Sequence, residues 1–188
     1  TLVRPGDPAP PAATPDAPAA GEGANFYGSR AKGQRFVFVV DNSLSMRNGK
    51  FETATSELLD AVRDLTDKQQ FYVIFFSDTL HPMFEPSAPE GYLPASDANL
   101  ARLEAHVAQM RLHRGTNGQA ALERAFELKP DAIYLLTDGA FTDKTLPFLL
   151  NREQRGVPIH TVGYQAERGA NNLKRISAAY GGTYTYVP

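Results

Sequence analysis

Phe36–Met46 reads FVFVVDNSLSM: five apolar residues in a row stop at an acid, and hydroxyls follow at alternate positions, Ser43 and Ser45. An apolar run without the period-two alternation of a half-exposed strand is what a strand buried on both faces requires. The run therefore predicts a central strand, Arg35–Asp41, in a parallel sheet with helices on both sides. Asp41-Asn42-Ser43-Leu44-Ser45 becomes the loop at its C-terminal end. Alternate residues of an extended loop point to one side, so Asp41, Ser43 and Ser45 can face a common centre.

The rest of the chain supplies the sheet. Asn48-Gly49 is a turn signal, and Phe51, Ala54, Leu58, Leu59, Val62 and Leu65 form one face of a helix over Lys50–Asp67. Gln70–Phe76 is a second fully apolar strand. Thr79–Phe84 returns as a short antiparallel strand that Pro82 confines to the sheet edge. Glu85–Ala95, with three prolines, reads as an irregular loop. Ser96 caps a helix over Asp97–Leu112, followed by the loop HRGTNG, His113–Gly118. A helix over Gln119–Leu128 leads to a strand, Ala132–Thr137, ending in Asp138-Gly139. A short helix within Lys144–Arg155, a strand Val157–Tyr164, a helix Asn171–Tyr180 and a last strand Thr183–Val187 complete the chain. Strands and helices alternate, which predicts an α/β, doubly wound, mostly parallel sheet with one short antiparallel edge strand.

Right-handed crossovers then decide which loops meet. The ends of the Arg35–Asp41 and Ala132–Thr137 strands, and the HRGTNG loop, all arrive at one edge of the sheet. That edge is where open α/β sheets bind ligands. Two carboxylates (Asp41, Asp138) and three hydroxyls (Ser43, Ser45, Thr116) converge there, without His or Cys. An all-oxygen set suits Mg²⁺, Mn²⁺ or Ca²⁺ and disfavours Zn²⁺ and Cu²⁺. Neutral hydroxyls leave much of the cation's charge uncompensated, so the metal stays open to an anionic group from another molecule.

With those residues in view, the chain resembles a von Willebrand factor A (VWA), or integrin I-like, domain of the bacterial stand-alone type. The family's metal ion-dependent adhesion site joins an Asp-x-Ser-x-Ser loop, a Thr from a second loop and an Asp after a later strand. These match Asp41, Ser43 and Ser45, then Thr116 in Gly115-Thr116-Asn117, then Asp138 in Leu135-Leu136-Thr137-Asp138-Gly139. The likeness runs from about Arg35 to Val187 and implies a Rossmann-like fold. It also implies metal ligation by Ser43, Ser45, Thr116 and Asp138, with Asp41 binding directly or through metal-bound water. A partner's carboxylate would complete the coordination. Asn42, Leu44, Asn117 and Gly139 are expected on the ligand rim. Leu44 stands where glycine is frequent in the family.

Composition narrows the alternatives. The chain has 188 residues, 42% hydrophobic and 21% charged, with net charge −2 and no block of like charges. This disfavours nucleic acid as partner. No apolar run approaches a membrane span, and the absence of Cys excludes disulfides and thiolate sites. Residues 1–34 read as a Pro/Ala-rich linker and lead-in, and 35–188 as the VWA domain. Six of the fourteen prolines lie in the first twenty residues, which favours an extended spacer over a packed core. Phe26 and Tyr27 are candidates to dock on the domain edge. The start at Thr1 rather than Met suggests a fragment or processed form, so any signal peptide or membrane anchor would lie upstream of it.

The expected function is metal-dependent adhesion or scaffolding, periplasmic or at the cell surface. The alternative is a cytoplasmic regulatory subunit of an ATPase complex such as a metal chelatase. No catalysis is expected. Ser43 and Ser45 have no base implied beside them, His81, His106, His113 and His160 lack a common metal spacing, and His113 is a candidate for the rim.

Overall fold

The computed structural model describes residues 24–26, 29–153 and 156–188. The Pro/Ala-rich segment expected as a spacer therefore lies mostly outside the described residues, as does the docking of Phe26 and Tyr27. What is described of the lead-in is a small antiparallel hairpin, β1 (Ala24–Phe26) with β2 (Ser29–Ala31).

The main sheet begins with β3 (Arg35–Asp41), whose residues from Phe36 onward are all buried. Gly49, at φ 88°, starts α1 (Lys50–Arg63). A left-handed backbone there suits a residue without Cβ. Phe51, Ala54, Leu58, Ala61 and Val62 bury one face of α1. The helix ends four residues before the expected Asp67; Gln69 then accepts the Thr66 amide through its side chain at 2.9 Å. β4 (Gln70–Phe76) runs parallel to β3. β5 (Leu80–Pro82) is the expected antiparallel edge strand on β4. The loop after it holds one further piece, the two-residue β6 (Leu93–Pro94), antiparallel to the start of β4.

α2 (Asp97–Val107) is capped by Ser96, whose hydroxyl accepts the Asn99 amide at 3.4 Å. It stops short of Leu112 because Gln109 and Met110 donate only three residues back, to His106 and Val107. Arg111–His113 are thereby free to extend. α3 (Gly118–Glu127), β7 (Ala132–Thr137), α4 (Thr145–Asn151), β8 (Ile159–Tyr164), α5 (Ala170–Ala179) and β9 (Tyr184–Val187) follow.

Strand order is β5-β4-β3-β7-β8-β9, with β3, β4, β7, β8 and β9 parallel. The chain steps one way from β3 to β4 and the other way from β7 to β9. Right-handed crossovers therefore put α1 on one face and α4 and α5 on the other. α2 packs on α1, and α3 on α4. Between the faces lies an aromatic-rich core in which Tyr134 stacks on Phe38 (5.3 Å) and His160 (5.0 Å). The order reverses between β3 and β7, so the crevice at their C-terminal ends is the switch point. Asp41 and Asp138 sit at those ends. Among the described residues no helix is long and apolar enough to cross a membrane.

Candidate metal centre

The loop after β3 is bent back on itself by its own acid. Asp41 is fully buried and accepts the Ser43 amide on Oδ1 at 2.8 Å. Its Oδ2 accepts the Thr137 hydroxyl at 2.6 Å. Burial pushes the Asp41 carboxyl up to about 6 despite these hydrogen bonds, and neighbouring Asp138 adds to the rise. The backbone then enters a 3-10 turn, Leu44–Met46, pinned by the fully buried Met46. This turn carries Ser45 round to Ser43, and the two hydroxyl oxygens meet at 2.8 Å.

The Thr116 loop is fastened to this one through backbone. His113 donates its amide to Asn42 O at 2.9 Å and accepts the Leu44 amide at 2.7 Å. The early end of α2 is what makes this bridge possible. Thr116 is buried; its amide donates to Thr142 Oγ1 and its carbonyl accepts the Thr142 amide. Its hydroxyl has no hydrogen-bond partner among the described residues.

Asp138 arrives from β7. Its Oδ1 accepts the Ala140 amide at 3.1 Å, and its Oδ2 lies 3.7 Å from the Lys50 ammonium. Gly139, at φ 76°, makes the turn. A Cβ on Gly169 would fall 2.1 Å from Asp138 O, so two glycines pressed together hold the turn in place.

The sequence-expected residues thus meet at one edge. Asp41 holds the Ser43 amide, the Ser43 and Ser45 hydroxyls bond each other, Ser45 and Asp138 line one cavity, and Thr137 ties Asp41 to the Gly139 amide next to Asp138. Thr116 is held in the loop that bridges to Ser43. Two of the four expected rim residues are not at the rim. Asn42 is fully buried, because its amide reaches back to Arg111 O at 3.3 Å. Gly139 is buried against Gly169. Leu44 is 42% exposed and lines a cavity with Ser45 and Asp138. Asn117 is half-buried and clamps Asp78 O and Thr142 Oγ1. His113 is exposed, stacked on His81 with ring centres 5.4 Å apart. His160 is buried and bonded to Thr183.

Sequence reasoning missed Thr137, Lys50 and Gly169. Thr137 was visible as the polar end of an apolar strand; nothing local marked the other two.

The donor set fits a hard divalent cation. Asp41, Ser43, Ser45, Thr116 and Asp138 offer oxygen only. The Ser43 and Ser45 hydroxyls already converge and that of Thr116 is unclaimed. Among the described residues no group of three or more His, Cys, Asp or Glu could hold a metal, so the hydroxyls are essential to any such site.

The comparisons agree with this architecture. The family model for the von Willebrand factor type A domain matches residues 34–186. A von Willebrand factor A domain-containing protein of Dictyostelium discoideum is 26% identical over 161 residues, covering 81% of this chain and 17% of that protein. A von Willebrand factor type A structure from Catenulispora acidiphila superposes with a TM-score of 0.68 at 20% identity, covering 85% of this chain and 40% of that one. Manganese-loaded TRAP protein of Plasmodium vivax does so with 0.63 at 16% identity, covering 82% and 68%. At these identities the structural likeness is one of fold. The chain spans less than a fifth of the length of the Dictyostelium relative. On the family match over 34–186, the chain belongs to the von Willebrand factor type A domain family.

Proposed function

We propose that the domain is a binding module that holds a divalent cation at the switch-point edge and uses it to capture a carboxylate of a protein partner. Mg²⁺ is the first candidate, with Mn²⁺ and Ca²⁺ as alternatives. The carrying observation is the convergence of the Ser43 and Ser45 hydroxyls, 2.8 Å apart, beside Asp138 and a buried Asp41. Ser43, Ser45, Thr116 and Asp138 would hold the metal, and Asp41 would anchor the loop and accept from metal-bound water. The cation supplies an electrophile for an anionic group. Binding rather than turnover is favoured because the serine hydroxyls bond each other, and the nearby His113 ring stacks on His81. The Plasmodium neighbour is manganese-loaded, which is consistent with a divalent ion in this fold.

The test is a Mn²⁺ titration by calorimetry with Asp41→Ala and Ser43→Ala, followed by a lysate pull-down with and without EDTA. Both variants are expected to lose Mn²⁺ and the EDTA-sensitive partner. Undiminished metal affinity in both would refute the site. The Pro/Ala-rich residues 1–20 favour display on a spacer outside the cytoplasm, which fractionation of the source cells would check.

A further inference from the structure

Three arginines stand on the segments that form the oxygen cluster. Arg47 closes the 3-10 turn of the metal loop, and Arg111 and Arg114 flank His113, whose backbone is bonded to that loop. All three are exposed, and none forms an ion pair among the described residues. By contrast Arg35, Arg63 and Arg124 each have a carboxylate partner.

A cavity of about 420 Å³ opens beside the cluster, with Leu44, Ser45, Arg47, Lys50, Asp138 and Gln165 in its lining. It contains two cations in different situations. Lys50 is engaged with Asp138 at 3.7 Å, while Arg47 has no ion-pair partner among the described residues. A guanidinium presents a planar fork that matches a carboxylate with two parallel hydrogen bonds. Leu44, exposed and in the same lining, offers apolar surface beside Arg47.

We infer that the segment captured here carries at least two acidic side chains, one directed to the cation and the second received by Arg47 in the adjoining cavity. This rests on the cation reading given above. A lone metal–carboxylate contact accepts any exposed acid. A second anion subsite at a set distance selects among acidic segments, which is where specificity arises. Arg111 and Arg114 extend the positive field, steering acidic partners in and repelling basic ones.

The test uses the full chain loaded with Mn²⁺ and fluorescent blocked peptides carrying two Asp residues separated by zero, one or two residues. Each peptide is paired with counterparts in which either Asp is replaced by Asn. At least one two-acid peptide is expected to bind about tenfold more tightly than both counterparts, in an EDTA-sensitive way. Arg47→Gln is expected to erase that margin while binding Mn²⁺ like the wild type. If no two-acid peptide exceeds its counterparts, or if the margin survives Arg47→Gln, the second subsite is refuted and the cation reading stands. If the protein binds Mn²⁺ but no peptide binds in a Mn²⁺-dependent way, the carboxylate reading fails and this inference fails with it. Binding that persists in EDTA, or that a single-stranded oligonucleotide matches, would show simple charge attraction and overturn the inference.

Discussion

Thr137 donates its hydroxyl to Asp41 Oδ2 at 2.6 Å and accepts the Gly139 amide at 3.0 Å. One side chain thus joins the ends of β3 and β7, orienting the acid at the base of the proposed metal loop and the turn that carries Asp138. Such outer partners of ligand carboxylates typically change metal affinity by about 10–100-fold when removed. Thr137→Val keeps the shape and deletes both bonds. It is expected to weaken Mn²⁺ binding by about that factor and to lower stability by about 1–3 kcal/mol, because buried polar groups lose partners. Calorimetry and urea unfolding measure the two effects; wild-type Mn²⁺ affinity in this variant would contradict the role.

Lys50 places a positive charge 3.7 Å from Asp138 Oδ2, both largely shielded from solvent. The ammonium balances the Asp138 carboxylate, and on the proposed reading it would repel a cation bound there. Lys50→Met should therefore destabilise the metal-free protein yet tighten Mg²⁺ or Mn²⁺ binding by about tenfold. The rise in Tm on adding metal should be larger in the variant than in the wild type. An equal or smaller rise would mean that the ammonium does not oppose the cation.

Gly169→Ala would drive a Cβ into Asp138 O and Gly139 Cα. Overpacking of this kind costs about 1–3 kcal/mol, and here the backbone that must yield carries Asp138, one of the proposed metal ligands. Metal affinity is expected to fall more than stability alone would explain. Gly91→Ala, where a Cβ meets nothing within 4 Å, is the matched control and should leave both unchanged. If both variants bind Mn²⁺ equally, the glycine contact does not position Asp138.

Burial holds the His160 imidazole below its ordinary 6.5. In the folded chain the ring resists protonation, while the unfolded chain takes up the proton at about 6.5. The neutral ring therefore contributes fully above about pH 6.5, and stability declines as pH falls from there towards the folded value. Half-buried His106 acts in the same direction. His160→Asn should flatten this acid-side decline in EDTA-treated protein, read as the wild-type minus variant difference in urea midpoints between pH 7.5 and 5. A parallel decline in both proteins would exclude His160 as a source.

Much of this was legible in the chain. The unbroken apolar runs of β3, β4 and β7 announced strands buried on both sides, because a half-exposed strand must alternate. The positions of Asp41, Ser43, Ser45, Thr116 and Asp138 followed from strand ends and crossover handedness. Helix ends were less legible. Local apolar spacing carried α2 to Leu112, whereas the backbone of His113 is claimed by Asn42 and Leu44 across the crevice. Asn42 looked like rim from its place between two ligands and proved buried, because its amide is drawn inward to Arg111 O.

By itself the sequence determined the alternation of elements, the sheet edge and the oxygen character of the site, since these depend on periodicity, turn residues and side-chain chemistry. Tertiary structure alone decided which neighbours hold those oxygens. Thr137 on Asp41, Lys50 beside Asp138, Gly169 against Gly139 and Arg47 in one cavity with Asp138 are relationships between segments distant along the chain. They depend on distances of a few ångströms between packed elements, which no local pattern encodes.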